Sequence, residues 1–134
     1  MKPIRLHMSI PVTDLPSARA FYGALLGCTE ERYEEGRIDF DFFGLHVVTH
    51  VEAEEAAHVV RKVGSHGVRV PVRHFGVVLP MEEWTNLADR LTSHKAEFVI
   101  PPKHFGSATV PDHMSMLVAD GCGNVVEFKG QATA

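Results

Sequence analysis

His7 lies in the apolar run IRLHMSIPV and His74 in a second such run, VRHFGVVLP. Each run is followed by a helix-like segment. Glu127 lies in NVVEFKG, just past the glycine-rich turn DGCGN. Two imidazoles and one carboxylate on separate strands form a donor set that a divalent metal accepts while keeping positions open for substrate. A bound ion would polarise a carbonyl or enediolate as a Lewis acid. The setting of Glu127 among Val125, Val126 and Phe128 points the same way, because an unpaired buried charge is costly. His7, His74 and Glu127 are therefore the candidate metal ligands.

The elements that must position them occur twice. Residues 4–12 read as a strand, Asp14 as a helix cap and Pro16 as a first-turn residue. Ala18, Phe21, Tyr22 and Leu25 recur at helical spacing, and Gly27 ends the helix. Strands are expected over Cys28–Glu34, Arg37–Phe43 and Leu45–Glu52, separated by Glu35-Gly36 and by Gly44. The second half repeats this order. A strand is expected over Val70–Leu79, and a helix begins near Pro80 with Glu82 and Glu83 at its positive end. Trp84, Leu87, Ala88 and Leu91 form its apolar face. Strands follow at Ala96–Ile100, Met114–Ala119 and Asn124–Lys129, with a loop from Pro101 to Asp112. The two histidines stand 67 positions apart and the helix faces 66 apart, so an internal repeat sets the architecture. Module one covers about 4–52 and module two about 70–130. Residues 53–69 read as a linker with a short helical turn around Glu54–His58 and glycines at Gly64 and Gly67.

The chain has 134 residues, 45% hydrophobic content and a net charge of −4, which suits one compact domain. Lysines and arginines form no stripe, which argues against a nucleic-acid surface. The apolar runs are too short to span a bilayer. Two cysteines, Cys28 and Cys122, make no disulfide framework, and a cytoplasmic protein is expected.

The fragments HMSIPVTDLPSARAFYGALLG, HFGVVL and DGCGNVVEF, in this order and spacing, resemble the vicinal oxygen chelate superfamily. That group includes glyoxalase I, extradiol dioxygenases, fosfomycin-resistance enzymes and bleomycin-binding proteins. The resemblance covers nearly the whole chain. It implies an α+β fold of two βαβββ modules forming a curled mixed sheet around a metal cleft. It also implies ligands on the first and last strands of each module, which His7, His74 and Glu127 match. The fourth position falls on Val48, which cannot ligate. Three ligands resemble the two-histidine, one-glutamate iron(II) site of extradiol dioxygenases more than the four-ligand site of glyoxalase I. Iron(II) is the favoured ion, with Mn, Zn, Ni and Co as alternatives. His46 and His50 flank Val48 on the same strand face. His50 is the candidate proton-moving residue, and either histidine reaches the metal if the hairpin register shifts. The resemblance further implies a homodimer. The expected function is metal-dependent chemistry on a small vicinally oxygenated substrate, dioxygenase-like or glyoxalase-like. The alternative is metal-free sequestration of the bleomycin-resistance type.

Other residues are weighed more plainly. Phe40 and Phe42 read as core, and Phe21 and Tyr22 as helix-to-sheet packing. His104 and His113 read as solvated loop residues. Gly121 and Gly123 suit a tight turn. Cys122 reads as an exposed turn residue with no cation or base to make it a nucleophile.

Overall fold

The computed structural model describes residues 3–56, 62–65, 68–109 and 111–131. The chain divides into two compact units. The first comprises Met1–His58 with Asp120–Asn124, and the second Val59–Ala119 with Val125–Ala134.

In the first unit, β1 (His7–Val12) leads into α1 (Leu15–Ala18). Asp14 caps this helix, its Oδ1 accepting the Ser17 amide at 2.7 Å, which satisfies an amide that the helix itself cannot. The helix continues as a π-helical stretch over Arg19–Leu25. There the Leu26 N–H reaches back five residues to the Phe21 carbonyl, at 2.9 Å. The wider turn shifts the buried face by one position, so that Ala18, Phe21 and Tyr22 are joined in the core by Leu26 where Leu25 was expected. Strands β2 (Thr29–Glu34), β3 (Arg37–Phe42) and β4 (Leu45–Val51) follow, then the short α2 (Ala53–Ala56). The sheet order is β1-β4-β3-β2, with β1 parallel to β4 and the other pairs antiparallel. Phe40 and Phe42 are fully buried, as core residues should be.

In the second unit, β5 (Lys62–Ser65) and β6 (Val68–Pro71) form a two-stranded antiparallel sheet that begins in the stretch expected to be a linker and ends at Pro71, two residues beyond it. His58, the expected end of the helical turn there, and Gly67 lie outside the described residues. Then come β7 (Phe75–Pro80), α3 (Met81–Ser93), β8 (Phe98–Phe105), β9 (His113–Ala119) and β10 (Val125–Gln131). The sheet order is β7-β10-β9-β8, with β7 parallel to β10. Both units thus share one topology, in which the first strand lies parallel to the last. Trp84, Leu87, Ala88 and Leu91 form the buried face of α3.

Three expectations need correcting. The curled mixed sheet is not what forms: the strands make two separate, open, four-stranded mixed sheets and a two-stranded one. Four strands are too few to close on themselves, and each sheet keeps its edges. The strand expected over Val70–Leu79 breaks after Pro71, and a bend carries the chain to Phe75. Proline has no N–H with which to extend the ladder. The first part of the expected loop, Pro101–Phe105, is instead the second half of β8, which runs through Pro101 and Pro102 with two register shifts against β9. As an edge strand it tolerates prolines that a central strand would not. No helix among the described residues is long and apolar enough to cross a membrane.

The turn Asp120–Asn124 is built around a buried carboxylate. Asp120 is 2% exposed. It accepts from the Tyr22 hydroxyl at 2.6 Å, from the Cys122 and Asn124 amides and from Asn124 Nδ2. Burial first, then the neighbouring Asp120 charge, pushes the Tyr22 phenol well above its ordinary value. Cys122, expected to be exposed, is 1% exposed, and burial pushes its thiol up as well, which suits packing and not nucleophilic attack. Tyr22→Phe would remove a buried hydrogen bond to a charged group. It should cost about 1.5–3 kcal/mol, read in urea titration as a lower midpoint at unchanged slope.

Candidate functional site

His74 stands just ahead of β7, in the bend that follows Pro71. Its Nδ1 lies 2.9 Å from the Pro71 carbonyl oxygen. A carbonyl can only accept, so Nδ1 carries the proton and a neutral His74 presents its Nε2 lone pair. That Nε2 faces Glu127 Oε1 at 3.2 Å. The other carboxylate oxygen, Oε2, accepts the Ser115 hydroxyl at 2.6 Å. Ser115 is buried, while His74 and Glu127 are partly so. Two electron-pair donors therefore point at each other, and a cation must lie between or beside them for the contact to be favourable: a proton or a metal ion.

Strand pairing sets this approach. Gly76 on β7 lies directly opposite Glu127 on β10. A Cβ at Gly76 would fall 1.6 Å from the Glu127 carbonyl oxygen, so only glycine fits there. Along β10, Val126, Phe128 and Gly130 are buried, and Glu127 and Lys129 share the opposite face. His74, Phe75, Val77, Glu127 and Lys129 line an open groove of about 270 Å³.

In the first unit, His7 opens β1 directly beside His46 on β4. Their Nδ1 atoms are 3.0 Å apart and their rings 4.8 Å centre to centre. His46 Nε2 lies 2.9 Å from Asp39 Oδ2. Arg37 donates to both oxygens of Asp39, Nε to Oδ1 and Nη2 to Oδ2, each at 3.0 Å. Burial raises the Asp39 carboxyl, but the hydrogen bonds from His46 and Arg37 and the Arg37 charge outweigh it and hold the group below the ordinary carboxylate range. His50 lies opposite Pro11 on β1, four residues along from His46, or about 13 Å at strand rise. It is partly buried, and its ring makes no hydrogen bond to another described residue. Val48 is buried and cannot ligate. His104 is exposed beside Asp112, and His113 stacks on Phe105 with its Nδ1 toward the Pro111 carbonyl.

The structure thus brings His74 to Glu127 and His7 to His46. Among the described residues, no group of three or more His, Cys, Asp or Glu side chains is gathered to hold a metal ion. Each pair consists of atoms of the kind that ligate divalent ions, and a neutral His74 would turn its Nε2 lone pair toward Glu127. Sequence reasoning missed Arg37, Asp39 and Ser115. The alternation in RIDFDF, charged against apolar, was the available clue to the first two.

Gly76→Ala should force β7 from β10 at Glu127, at a cost of about 1–3 kcal/mol for overpacking. Thermal denaturation reads the loss, and the imidazole resonances of His74 should shift with it.

Residues 5–128 match the family described as Glyoxalase/Bleomycin resistance protein/Dioxygenase superfamily. Among solved structures, the chain is similar to a glyoxalase/bleomycin resistance protein/dioxygenase from Alicyclobacillus acidocaldarius. The identity is 27% and the TM-score 0.78, over 95% of this chain and 90% of that one. It also resembles the fosfomycin resistance protein FosX of Listeria monocytogenes (16% identity, TM-score 0.68, 98% and 96% covered). A third similar structure is a lactoylglutathione lyase from Agrobacterium tumefaciens (15% identity, TM-score 0.59, 96% and 94% covered). No curated protein matches the sequence. With the family matched across most of its length and the paired βαβββ topology in place, the chain belongs to the glyoxalase/bleomycin resistance/dioxygenase, or vicinal oxygen chelate, superfamily.

Proposed function

We propose that this chain is a metal-dependent enzyme acting on a small substrate with neighbouring oxygens, by dioxygenase-like or glyoxalase-like chemistry. The observation that carries the reading is His74, held at Nδ1 by the Pro71 carbonyl with its Nε2 3.2 Å from Glu127 Oε1. A metal-ligating histidine typically gives its other N–H to a carbonyl or carboxylate, which fixes the ring. Pro71 O does this for His74, and Ser115 orients Glu127 from its far oxygen. His7, His74 and Glu127 are the assigned ligands. Iron(II) comes first among divalent ions because two imidazoles and a carboxylate with open positions suit it; Mn, Zn, Ni and Co are the alternatives. When bound, the ion supplies Lewis-acid polarisation of the substrate oxygens. His46 is committed to His7 and Asp39, which leaves His50 as the β4 imidazole available to move protons. The groove beside His74 offers Phe75 and Val77 to the carbon skeleton and Lys129 to an anionic substituent. The reading extends to a cytoplasmic homodimer of a single domain, with modules over 4–52 and 70–130 and a linker over 53–69.

A second reading, metal-free sequestration of a small molecule, draws on the lack of a three-donor cluster among the described residues. Anaerobic reconstitution with each ion, followed by metal analysis, separates the two. The wild type should take up metal stoichiometrically and His74→Ala should lose it. Oxygen uptake on catechols and a methylglyoxal/thiol assay then sort the reaction type. Wild-type protein that gains no metal from any of the five ions, or a His74→Ala variant that binds as before, would sink the metal reading.

A further inference from the structure

Behind His7 runs a chain of side chains on three adjacent strands: Arg37 and Asp39 on β3, His46 on β4 and His7 on β1. Every proton along it follows from its far end. The guanidinium of Arg37 can only donate, and it takes both Asp39 oxygens in a fork. Ionised Asp39 can only accept, so Nε2 of His46 carries the proton. A neutral His46 then offers a lone pair at Nδ1, and the 3.0 Å contact there requires His7 Nδ1 to donate. His7 is left with a bare Nε2. These proton positions are assigned from the hydrogen-bond network. Arg37 bears on the direction too. The Arg37–Asp39 pair carries no net charge, so His46 faces a hydrogen-bond acceptor and not an uncompensated counter-ion.

We infer that Arg37, Asp39 and His46 are positioning residues that hold His7 as its Nδ1–H tautomer, with the Nε2 lone pair free for a divalent cation. The cation rests on the function proposed above, but the tautomer does not. An unconstrained histidine side chain favours the proton on Nε2, the form that cannot ligate through that atom. The chain of strands thus does for His7 what a single carbonyl, Pro71 O, does for His74. Asp39 is 3% exposed, so the relay is anchored in the body of the unit while His7 stands at its surface.

The test uses the full chain, metal-free and labelled with ¹⁵N-histidine, at a pH of about 8, above the ordinary histidine range. Long-range ¹H–¹⁵N correlation should show His7 protonated at Nδ1 and bare at Nε2. In His46→Ala the proton should move to Nε2, and the Mn²⁺ and Zn²⁺ dissociation constants should rise about 10–100-fold, as for lost outer partners of metal ligands. His46→Gln should restore both, since its amide oxygen accepts from His7 and its NH2 donates to Asp39. A merely structural His46 would not tie the His7 nitrogen pattern to that rescue. Wild-type His7 protonated at Nε2, an unchanged pattern in His46→Ala, or no rescue by His46→Gln would each overturn the inference. Wild-type protein with Nδ1–H His7 that binds none of the five ions would uphold the tautomer assignment and overturn the metal reading alone.

Discussion

The carbonyl oxygen of Pro71 accepts hydrogen bonds and cannot donate one. With His74 Nδ1 at 2.9 Å, that fact alone puts a proton on Nδ1 and turns Nε2 toward Glu127. The bend after β6 therefore has chemical content. Had the strand run unbroken from Val70 to Leu79, the Pro71 carbonyl would have pointed sideways into the ladder and His74 would have lain within the strand. Ending the strand at Pro71 turns the chain so that the His74 imidazole meets its carbonyl. The local chain path at 71–75 and the placement of Nε2 opposite Glu127 are one and the same arrangement.

The shared topology of the two units shows what each does with the same frame. In both, a first strand lies parallel to a last strand. Ser9 pairs with Val48 as Gly76 pairs with Glu127, and Ser9 and Gly76 each stand two residues after the opening histidine. The place of the carboxylate in the second unit is thus held by a buried valine in the first. What the first unit has instead is His46, abreast of His7. Where the second unit supplies a carboxylate, the first supplies an imidazole with a carboxylate and a guanidinium behind it. The two halves have diverged in the donors they offer while keeping the hydrogen-bond ladder that displays them.

Much of this frame is written in periodicity. The apolar faces of α3 and of the first helix, the hairpins at Gly36 and Gly44, and the matched spacing of His7 and His74 all follow from patterns that the backbone imposes. Other features depend on hydrogen bonds that periodicity does not encode. The π-helical turn that exchanges Leu25 for Leu26 is set by which carbonyl an amide chooses. The extension of β8 through Pro101 depends on its place at a sheet edge, and edge position is a tertiary fact. The pairing of His7 with His46 depends on parallel register: 46, 48 and 50 share a face, and nothing local says which stands level with residue 7. Asp120 reads as an ordinary turn residue until the Tyr22 hydroxyl is seen upon it.

The strand RIDFDF shows why the polar face of the first unit calls for an explanation beyond stability. Ile38, Phe40 and Phe42 are fully buried on one face of β3, which is enough to place the strand. On the other face Arg37 and Asp39 form an ion pair in which Asp39 is also almost wholly buried. Such pairs recover their desolvation cost only with good geometry and further hydrogen bonds, and apolar residues of similar volume often serve stability as well or better. Here the geometry is a bidentate fork, and the further hydrogen bond comes from His46. The pair's remaining acceptor capacity is thus spent on orienting an imidazole. That imidazole in turn touches His7, the residue whose type and spacing first suggested metal chemistry. The folding cost of burying Asp39 and the orientation of His7 are linked through one side chain, His46.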